Sequence, residues 1–256
     1  AHWIVEGHPP MDLWDVDLRR ALPFQSDPDY LRERTTETLG LLYAMHWPYR
    51  QFETARGIRL SPLHGRLAAR GACFGELAGW ERPNWFAPPD VEARYQYSYG
   101  RQNWFEAHAA EHLATRESAA IFDQTSFSKY ILVGPDALGL LQRLCGNEMD
   151  VALGKVVYTG LFNQRGTFES DLSVMRTRED SFYIVSSSAQ RIRDANWILQ
   201  HVEPQQQVDL IDVTDELSVI GLMGPNSRQI LTRVSDDDFA TFAFGTSRKI
   251  CIQGVG

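Results

Sequence analysis

The segment RLSPLHGRLAARGACFGELAGWERPNWFAP, residues 59–88, has the most distinctive composition in the chain. It brings Trp80, Trp85 and Phe86 close together in sequence. The same segment carries charged side chains, among them Arg66, Arg70, Glu76, Glu81 and Arg82. Aromatic and charged residues at this density predict a packed junction rather than a solvated loop. The plainer alternative is that the aromatics form only a core between two domains.

The overall composition excludes several classes of protein. The chain has 256 residues, 43% of them hydrophobic, which suits one large domain or two modest ones. A net charge of −8 argues against a nucleic-acid partner but leaves an anionic small molecule possible. No apolar run is long enough to span a membrane and no signal peptide opens the chain, so we expect no membrane partner. Because no initiator Met is present, we expect a fragment of a longer polypeptide, with a processed complete protein as the alternative.

The candidate metal and disulfide residues predict neither a metal site nor a disulfide. Cys73, Cys145 and Cys251 are far apart without a CxxC pair, which predicts reduced cytosolic thiols in the core. His108 and His112 have helical i, i+4 spacing, but the sequence HAAEH lacks the HExxH pattern of zinc enzymes. The acidic run at 236–238 predicts a solvated turn or a helix cap.

The chain divides into two parts, residues 1–90 and 108–256, which differ in the pattern of predicted helices and strands. A polar and aromatic connector at 91–107 joins them. Helices are predicted in the first part at Tyr30–Met45 and Leu63–Arg70, the second with Ser61 as N-cap. His46 and His64 are expected to be hydrogen-bonded residues of the junction. From about residue 104, helices are predicted over Phe105–Ser118, Ala137–Cys145, Gln190–His201 and Asn226–Val234. Strands are predicted over Lys129–Val133, Val156–Phe162, Asp171–Arg176, Ser181–Ser186 and Leu217–Gly221.

Short links between several of these strands decide the fold class. The link at Met175–Phe182, for example, is too short for a parallel crossover. We therefore predict an α+β fold with a mixed or antiparallel sheet rather than a doubly wound parallel sheet.

The Trp-rich segment also closely resembles the part of dimethylglycine and sarcosine dehydrogenases that ends their flavin-containing half. The features that carry this resemblance are SPL at 61–63, RGA and FGE at 70–76, and GWERPNWFAP at 79–88. The resemblance implies that residues 1–90 are the C-terminal part of the substrate domain of an FAD-dependent oxidoreductase.

A second resemblance covers the rest of the chain. This part resembles the folate-binding domain of the glycine-cleavage T-protein, an aminomethyltransferase. The features that carry the resemblance are Glu111, Arg116, AAIFDQTSFSKYILVGPDA (119–137), GKVVYTGLFNQRGTFESDLSV (154–174), DSFYIVSSSA (180–189) and VIGLMGPNSRQIL (219–231). Dimethylglycine and sarcosine dehydrogenases carry this domain directly after their flavin half. The resemblance implies that residues 108–256 are the N-terminal part of such a domain.

Asp171 is the candidate catalytic residue. It closes the pattern N-x-x-G-x-x-x-x-D, where the family places a carboxylate beside the reactive nitrogens of tetrahydrofolate. T-proteins often show two adjacent Asp residues there, whereas this chain has Ser170 followed by Asp171. Between Phe168 and Leu172, the carboxyl group is expected to have a raised pKa and to exchange a proton with an amine. The alternative is a structural carboxylate in a turn.

Four further residues match positions that contact folate in the family. Tyr158 matches a pocket residue that is aromatic or apolar, with a core residue of its strand as the alternative, and Phe127 matches a bulky apolar one. Val185 and Ser187 match a Val and an Asn that contact the pterin. A Ser in place of Asn removes an amide donor and acceptor, so the hydrogen bonding expected there differs from that of the family.

The chain lacks other parts of the family machinery. It ends before the Glu-containing stretch that holds the pterin and the basic residue for the folate tail. No GxGxxG follows a strand, so FAD is expected in the parent protein but not on this fragment. None of the seven histidines matches the position that links flavin covalently.

The resemblance implies a fragment of a flavin-dependent N-methylglycine dehydrogenase or oxidase. Its substrate would be dimethylglycine or sarcosine, and the oxidised methyl group would pass to tetrahydrofolate as 5,10-methylenetetrahydrofolate. Its partners would be the methylamine, folate and the missing parts of its own chain, with a homo-oligomer possible. Its location would be cytoplasmic in bacteria or the mitochondrial matrix in eukaryotes. The alternatives are a stand-alone aminomethyltransferase and a non-catalytic homologue like the regulatory subunit of pyruvate dehydrogenase phosphatase.

Overall fold

The computed structural model of the protein describes residues 2–7, 9–44 and 50–253. Within these residues the α-helices are α1 His2–Glu6, α2 Pro28–Leu41, α3 His64–Ala68, α4 Phe105–Glu117, α5 Ala137–Leu144, α6 Arg191–Gln200 and α7 Ser227–Val234. Short 3₁₀ helices cover Trp14–Val16, Leu18–Arg20, Pro23–Ser26 and Ser188–Gln190. The strands are β1 Ala72–Leu77, β2 Trp80–Phe86, β3 Ala120–Asp123, β4 Ser128–Val133, β5 Val156–Phe162, β6 Phe168–Arg178, β7 Ser181–Ser186, β8 Asp209–Asp212 and β9 Ile220–Met223.

The central feature is a five-stranded sheet in the order β5-β6-β7-β4-β8. All four neighbouring pairs in this sheet are antiparallel. Strands β5, β6 and β7 form a meander with short turns, as the short sequence links predicted. The predicted α+β class is confirmed.

Helices α5 and α6 cover one face of this sheet. Helix α5, with the sequence ALGLLQRL, buries Ala137, Leu140, Leu141 and Leu144, which follow the i, i+3, i+4, i+7 spacing of one helix face. They join a core with Ile198 of α6 and alternate residues of the strands, including Tyr130, Leu132, Leu172, Val174, Phe182 and Ile184. Each fully buried Leu, Ile, Val or Phe side chain contributes about 1.5–3 kcal/mol to the free energy of unfolding, because it is removed from water.

The Trp-rich segment forms the antiparallel hairpin β1–β2. Its tight turn is Ala78–Gly79, where both residues have positive φ, as a two-residue hairpin turn requires. Trp80 and Trp85 are buried, which confirms the predicted packing of this segment. The strands themselves were not predicted, because Gly75 and Pro83 interrupt the pattern of alternating residues.

Ion pairs tie the hairpin to the preceding part of the chain. Glu76 pairs with Arg34 of α2 at 2.8 Å, and Glu81 pairs with Arg56. His64 stacks on the ring of Phe74 with centroids 4.3 Å apart. His46, the other histidine expected in the junction, lies outside the described residues.

Arg59 connects this hairpin to the five-stranded sheet. Its guanidinium lies 4.2 Å from the centroid of the Trp80 ring and also pairs with Asp215. Asp215 forms a second ion pair, with Arg191 at 3.0 Å. Arg191 Nε also donates a hydrogen bond to Asp212 of β8 at 2.6 Å. The junction is therefore an ion-pair cluster backed by an aromatic ring.

Several predicted element boundaries were wrong. Helix α2 begins at Pro28, because Asp27 caps it by accepting hydrogen bonds from the backbone N–H groups of Asp29 and Tyr30. The described part of that helix ends at Leu41, before Met45, which lies outside the described residues. The predicted strand Leu217–Gly221 is displaced to Ile220–Met223, where it pairs with β3.

The predicted helix Leu63–Arg70 is also shorter than expected, at His64–Ala68. Ser61 is not its N-cap residue. Its hydroxyl instead donates to the Asp123 carboxylate and accepts from the Leu63 N–H at 3.2 Å. A tertiary contact with β3 therefore uses the side chain that local sequence assigned to helix capping.

The cysteines are free thiols, but only Cys73 is buried. The prediction that all of them lie in the core is wrong for Cys251, which is exposed because it follows the last helix on the surface.

Among the residues that the structure covers, no three His, Cys, Asp or Glu side chains form a group able to hold a metal ion. No helix within that part of the chain is both long and apolar enough to cross a membrane. In the acidic run, Asp238 accepts the backbone N–H of Ala240 at 2.8 Å in a turn, as predicted. The Asp237 carboxylate accepts the backbone N–H of Cys251 at 2.9 Å.

Two glycines give a matched test of this packing. Gly134 has φ of +138°, and a Cβ there would lie 2.1 Å from the backbone oxygen of Gln207. Gly166, in the β5–β6 turn, also has positive φ, but a Cβ there meets nothing within 4 Å. We expect Gly134→Ala to lower the free energy of unfolding by about 3 kcal/mol or more. Gly166→Ala should cost only about 1 kcal/mol, from its backbone conformation. Urea denaturation measures both, and equal losses would contradict this account.

Candidate functional site

The face of the five-stranded sheet opposite α5 and α6 carries all the candidate site residues. Side chains of directly paired residues in antiparallel strands lie on the same face. Tyr158 of β5 pairs with Ser173 of β6, which pairs with Val185 of β7, which pairs with Lys129 of β4. These four residues form a first row across the sheet.

A second row lies beside the first on the same face. Gly160 pairs with Asp171. Continuing the register of β6 and β7 by one residue places Ser187 opposite Asp171, and continuing that of β7 and β4 places Phe127 opposite Ser187. The two rows extend over three strand spacings, about 14 Å. The structure thus brings together all five residues that the sequence nominated.

Asp171 and Tyr158 form a hydrogen-bonded pair. The Tyr158 hydroxyl donates to Asp171 Oδ2 at 2.6 Å, and both side chains are exposed, Tyr158 by 67%. The hydrogen bond to the Asp171 carboxylate raises the pKa of Tyr158, because loss of the phenol proton would place two negative charges together. Leu172, one of the two apolar neighbours expected to surround Asp171, does not lie beside its carboxylate. Its side chain points into the core behind the sheet.

An aromatic wall stands beside Asp171. Phe162 and Phe168 have ring centroids 6.1 Å apart in an edge-on arrangement. A Cβ on Gly160 would lie 2.9 Å from Phe162, so only glycine leaves the space next to Asp171 free for the two rings. Phe162 had not been predicted as a site residue, although its alternation with Tyr158 and Gly160 along β5 is the signal that reveals it.

Lys129 is a second residue that had not been predicted for the site. It is fully buried, although it belongs to the same row as Val185, and its Nζ donates to the backbone oxygen of Thr125 at 2.7 Å. Burial lowers the pKa of Lys129 to about 8, which the charge of Asp215 partly opposes. The ammonium group holds the turn that leads into Phe127.

Asp194 of α6 lies behind the site, on the core side of the sheet. It is 1% exposed, and the Ser186 hydroxyl donates to its Oδ2. Burial raises the pKa of Asp194 to about 6, while hydrogen bonding from Ser186 opposes that rise.

The open face suits a flat ligand with a titratable amine. It offers an exposed carboxylate held by a phenol, aromatic and aliphatic surfaces for stacking, and two serine hydroxyls. The face is exposed at Tyr158 and Asp171, half-buried at Val185 and buried at Lys129. A cleft of about 880 Å³ lies elsewhere, between residues 14–31 and the start of α6.

These features agree with what the chain is similar to. The sequence matches the family described as GCVT N-terminal domain over residues 63–256 and the FAD dependent oxidoreductase central domain over residues 6–61. The chain belongs to the GCVT N-terminal domain family, and its first residues match the central domain of FAD-dependent oxidoreductases.

The chain is 42% identical over 240 residues to 4-methylaminobutanoate oxidase (formaldehyde-forming) of Paenarthrobacter nicotinovorans, covering 94% of the chain and 29% of that protein. It is 33% identical over 240 residues to the mitochondrial pyruvate dehydrogenase phosphatase regulatory subunit of Mus musculus, covering 92% and 27%. It is 32% identical over 299 residues to the mitochondrial sarcosine dehydrogenase of Homo sapiens, covering 100% and 32%. The chain therefore spans about a third or less of the length of these relatives.

A solved structure supports the fold. The aminomethyltransferase T of the glycine cleavage system from Bartonella henselae matches with a TM-score of 0.59 and 23% sequence identity. The match covers 74% of this chain and 46% of that one. The predicted T-protein-like architecture is confirmed.

The Tyr158–Asp171 pair gives a direct electrostatic prediction. Replacing Asp171 by Asn removes the negative charge that opposes ionisation of the phenol, so the pKa of Tyr158 should fall toward its ordinary value. Difference absorbance of tyrosinate during alkaline titration measures this, with Tyr158→Phe identifying the signal. An unchanged titration of Tyr158 in Asp171→Asn would show that the hydrogen bond does not persist in solution.

Asp194 gives a prediction for stability against pH. Its pKa is raised in the folded protein from an ordinary value of 3.8 to about 6, so the folded state binds the proton more tightly than the unfolded state. Stability is therefore lost as pH rises from about 4 through about 6. Relative to Asp194→Asn, the wild type should lose about 3 kcal/mol of unfolding free energy across that window. Urea denaturation at several pH values measures the difference, and a difference that does not vary with pH would contradict a buried ionisable Asp194.

Proposed function

We propose that this chain forms part of a flavin-dependent enzyme that oxidises an N-methylated amino acid, and that the open sheet face binds the tetrahydrofolate that receives the methyl carbon. The observation that carries the proposal is the exposed Tyr158–Asp171 pair, on the same sheet face as the half-buried Ser187 and Phe127. The relatives support the redox class, since they include an oxidase of a methylated amine and sarcosine and dimethylglycine dehydrogenases.

Each residue of the face has a proposed role. Tetrahydrofolate, when bound, supplies the amine nitrogens that take up the one-carbon unit. The Asp171 carboxylate exchanges a proton with such an amine, and the Tyr158 hydroxyl fixes its orientation. Val185 and Phe127 contact the ring faces. The Ser187 hydroxyl donates or accepts one hydrogen bond to the ring edge.

The domain organisation follows the same proposal. Residues 1–90 complete the substrate domain of the oxidoreductase, 91–107 connect, and 108–256 begin the folate-binding domain. FAD belongs to the parent protein outside this fragment, and the remaining parts of the chain, or a second copy, complete the assembly. We place the protein in the bacterial cytoplasm or, for a eukaryotic source, in the mitochondrial matrix.

Two relatives favour specific alternatives. The oxidase at 42% identity is described as formaldehyde-forming and acts on 4-methylaminobutanoate. Its similarity makes a longer N-methylamino acid a second candidate substrate beside dimethylglycine and sarcosine, with the methyl carbon leaving as free formaldehyde. The similarity to a phosphatase regulatory subunit keeps a non-catalytic role as a third candidate. A stand-alone aminomethyltransferase is disfavoured, because the oxidoreductase central domain matches residues 6–61.

The partition of the oxidised carbon tests the proposal. The full-length protein is incubated with methyl-labelled substrate and tetrahydrofolate, and labelled 5,10-methylenetetrahydrofolate and formaldehyde are each expressed per methyl group oxidised. Asp171→Asn should lower the folate product and raise formaldehyde, because losing one positioned acid–base group costs about 10²–10⁴ in the step it serves.

Asp180→Asn is the matched control. Asp180 is an exposed aspartate at the other end of the β6–β7 pair, and its replacement should leave the partition unchanged. An unchanged partition in a well-folded Asp171→Asn protein would remove Asp171 from the mechanism. Formation of formaldehyde alone by the wild type would favour the formaldehyde-forming class. Absence of any oxidation by the holoenzyme would favour the regulatory class.

A further inference from the structure

Asp194 is a buried carboxylate for which the proposed function has no role. It belongs to α6, is 1% exposed and lies against the underside of the sheet. The Ser186 hydroxyl donates to Oδ2, but Oδ1 has no hydrogen-bond partner. A buried carboxylate with one unsatisfied oxygen is costly, so its presence here calls for a physical reason.

The alternation of the strands connects Asp194 to the candidate site. Ser186 is buried and lies between Val185 and Ser187, whose side chains point to the opposite, open face. Ser170 is also buried and immediately precedes Asp171. The Ser170 hydroxyl is near enough to the same carboxylate to lower its pKa, although Asp194 Oδ1 has no hydrogen-bond partner in this structure. The Asp194 carboxylate therefore faces the hydroxyls that adjoin Asp171 on β6 and both Val185 and Ser187 on β7.

We propose that Asp194 is a positioning residue of the folate site, holding β6 and β7 together from the core side so that Asp171, Val185 and Ser187 share one plane of the open face. The proposal rests on the proposed function. Asp194 acts only through Ser186 and Ser170 and touches neither the open face nor a ligand on it.

The contact of Asp194 with Ser186 and Ser170, which holds β6 and β7 together, is called the clamp below. The charge state of Asp194 should control it. An ionised carboxylate accepts hydrogen bonds from both hydroxyls, whereas the protonated acid loses part of its accepting capacity. Its pKa of about 6 places this change below neutral pH. The charged or titratable groups that act on it are Arg193 on its own helix, Asp171 on β6 and Tyr130 on β4. Strand β7 presents the Ser186 hydroxyl.

Folate binding as a function of pH tests the clamp without requiring turnover. The probe is 5-formyltetrahydrofolate, whose N5 is acylated and so does not act as a base. Its dissociation constant is measured by calorimetry on the full-length protein between about pH 5 and about pH 8. For the wild type we expect it to fall by about 3- to 10-fold as pH rises through about 6.

Three variants identify the group responsible. Asp194→Asn keeps the shape of the side chain and should remove the inflection. Ser186→Ala removes a donor to the carboxylate anion, so the inflection should move to higher pH. Asp171→Asn should weaken binding but keep the inflection, because the titrating group is still present. Asp180→Asn, the exposed control, should match the wild type.

The outcomes separate the two ideas. If the wild type binds the folate and Asp194→Asn shows the same pH dependence, the clamp is wrong and the proposed function stands. An inflection that disappears in Asp171→Asn instead would assign it to Asp171 and also overturn the clamp. If the wild type binds no folate at any pH, the proposed function fails and the role of Asp194 fails with it. Should Asp194→Asn fold poorly, the direction of the shift in Ser186→Ala decides the question alone.

Discussion

The candidate site depends on burial of one face of the five-stranded sheet against α5 and α6. That face supplies Tyr130, Leu132, Leu172, Val174, Phe182 and Ile184 to the core. Because side chains alternate along a strand, burying these residues forces their neighbours onto the other face. Asp171 and Val185 are exposed to a ligand for the same reason that Leu172 and Ile184 are not. A shift of one residue in any strand would exchange the two sets, so the core packing also sets the register of the site.

The second constraint is the cluster of charges at the junction. Arg59 bridges the Trp80 ring and Asp215, and Asp215 in turn holds Arg191 at the start of α6. Helix α6 carries Asp194 three residues later, directly beneath the strands of the candidate site. The oxidoreductase-like and T-protein-like parts of the chain are therefore joined through the helix that supports the site. This gives a physical route by which the packing of the first part influences the geometry of the second.

Local pattern predicted the sheet well and the Trp-rich hairpin poorly. Strands β5 and β7 match their predicted spans, because Val156–Phe162 and Ser181–Ser186 are rich in β-branched and aromatic residues between clear turn signals. Strands β1 and β2 lack such a pattern, since glycine and proline interrupt them and their pairing is stabilised by ion pairs to distant arginines. Ser61 shows the same limit, because its contact with Asp123 joins residues far apart in sequence.

The sequence by itself determined the α+β class, the family and the five nominated residues, because motif spacing and strand periodicity are local properties of the chain. Only the tertiary structure decided that those residues lie in two adjacent rows, that Tyr158 donates to Asp171, and that Phe162, Lys129 and Asp194 belong to the same region. Strand order, register and burial arise from contacts between distant segments. The free energy of those contacts, chiefly the removal of apolar surface from water, is not written in any local stretch of sequence.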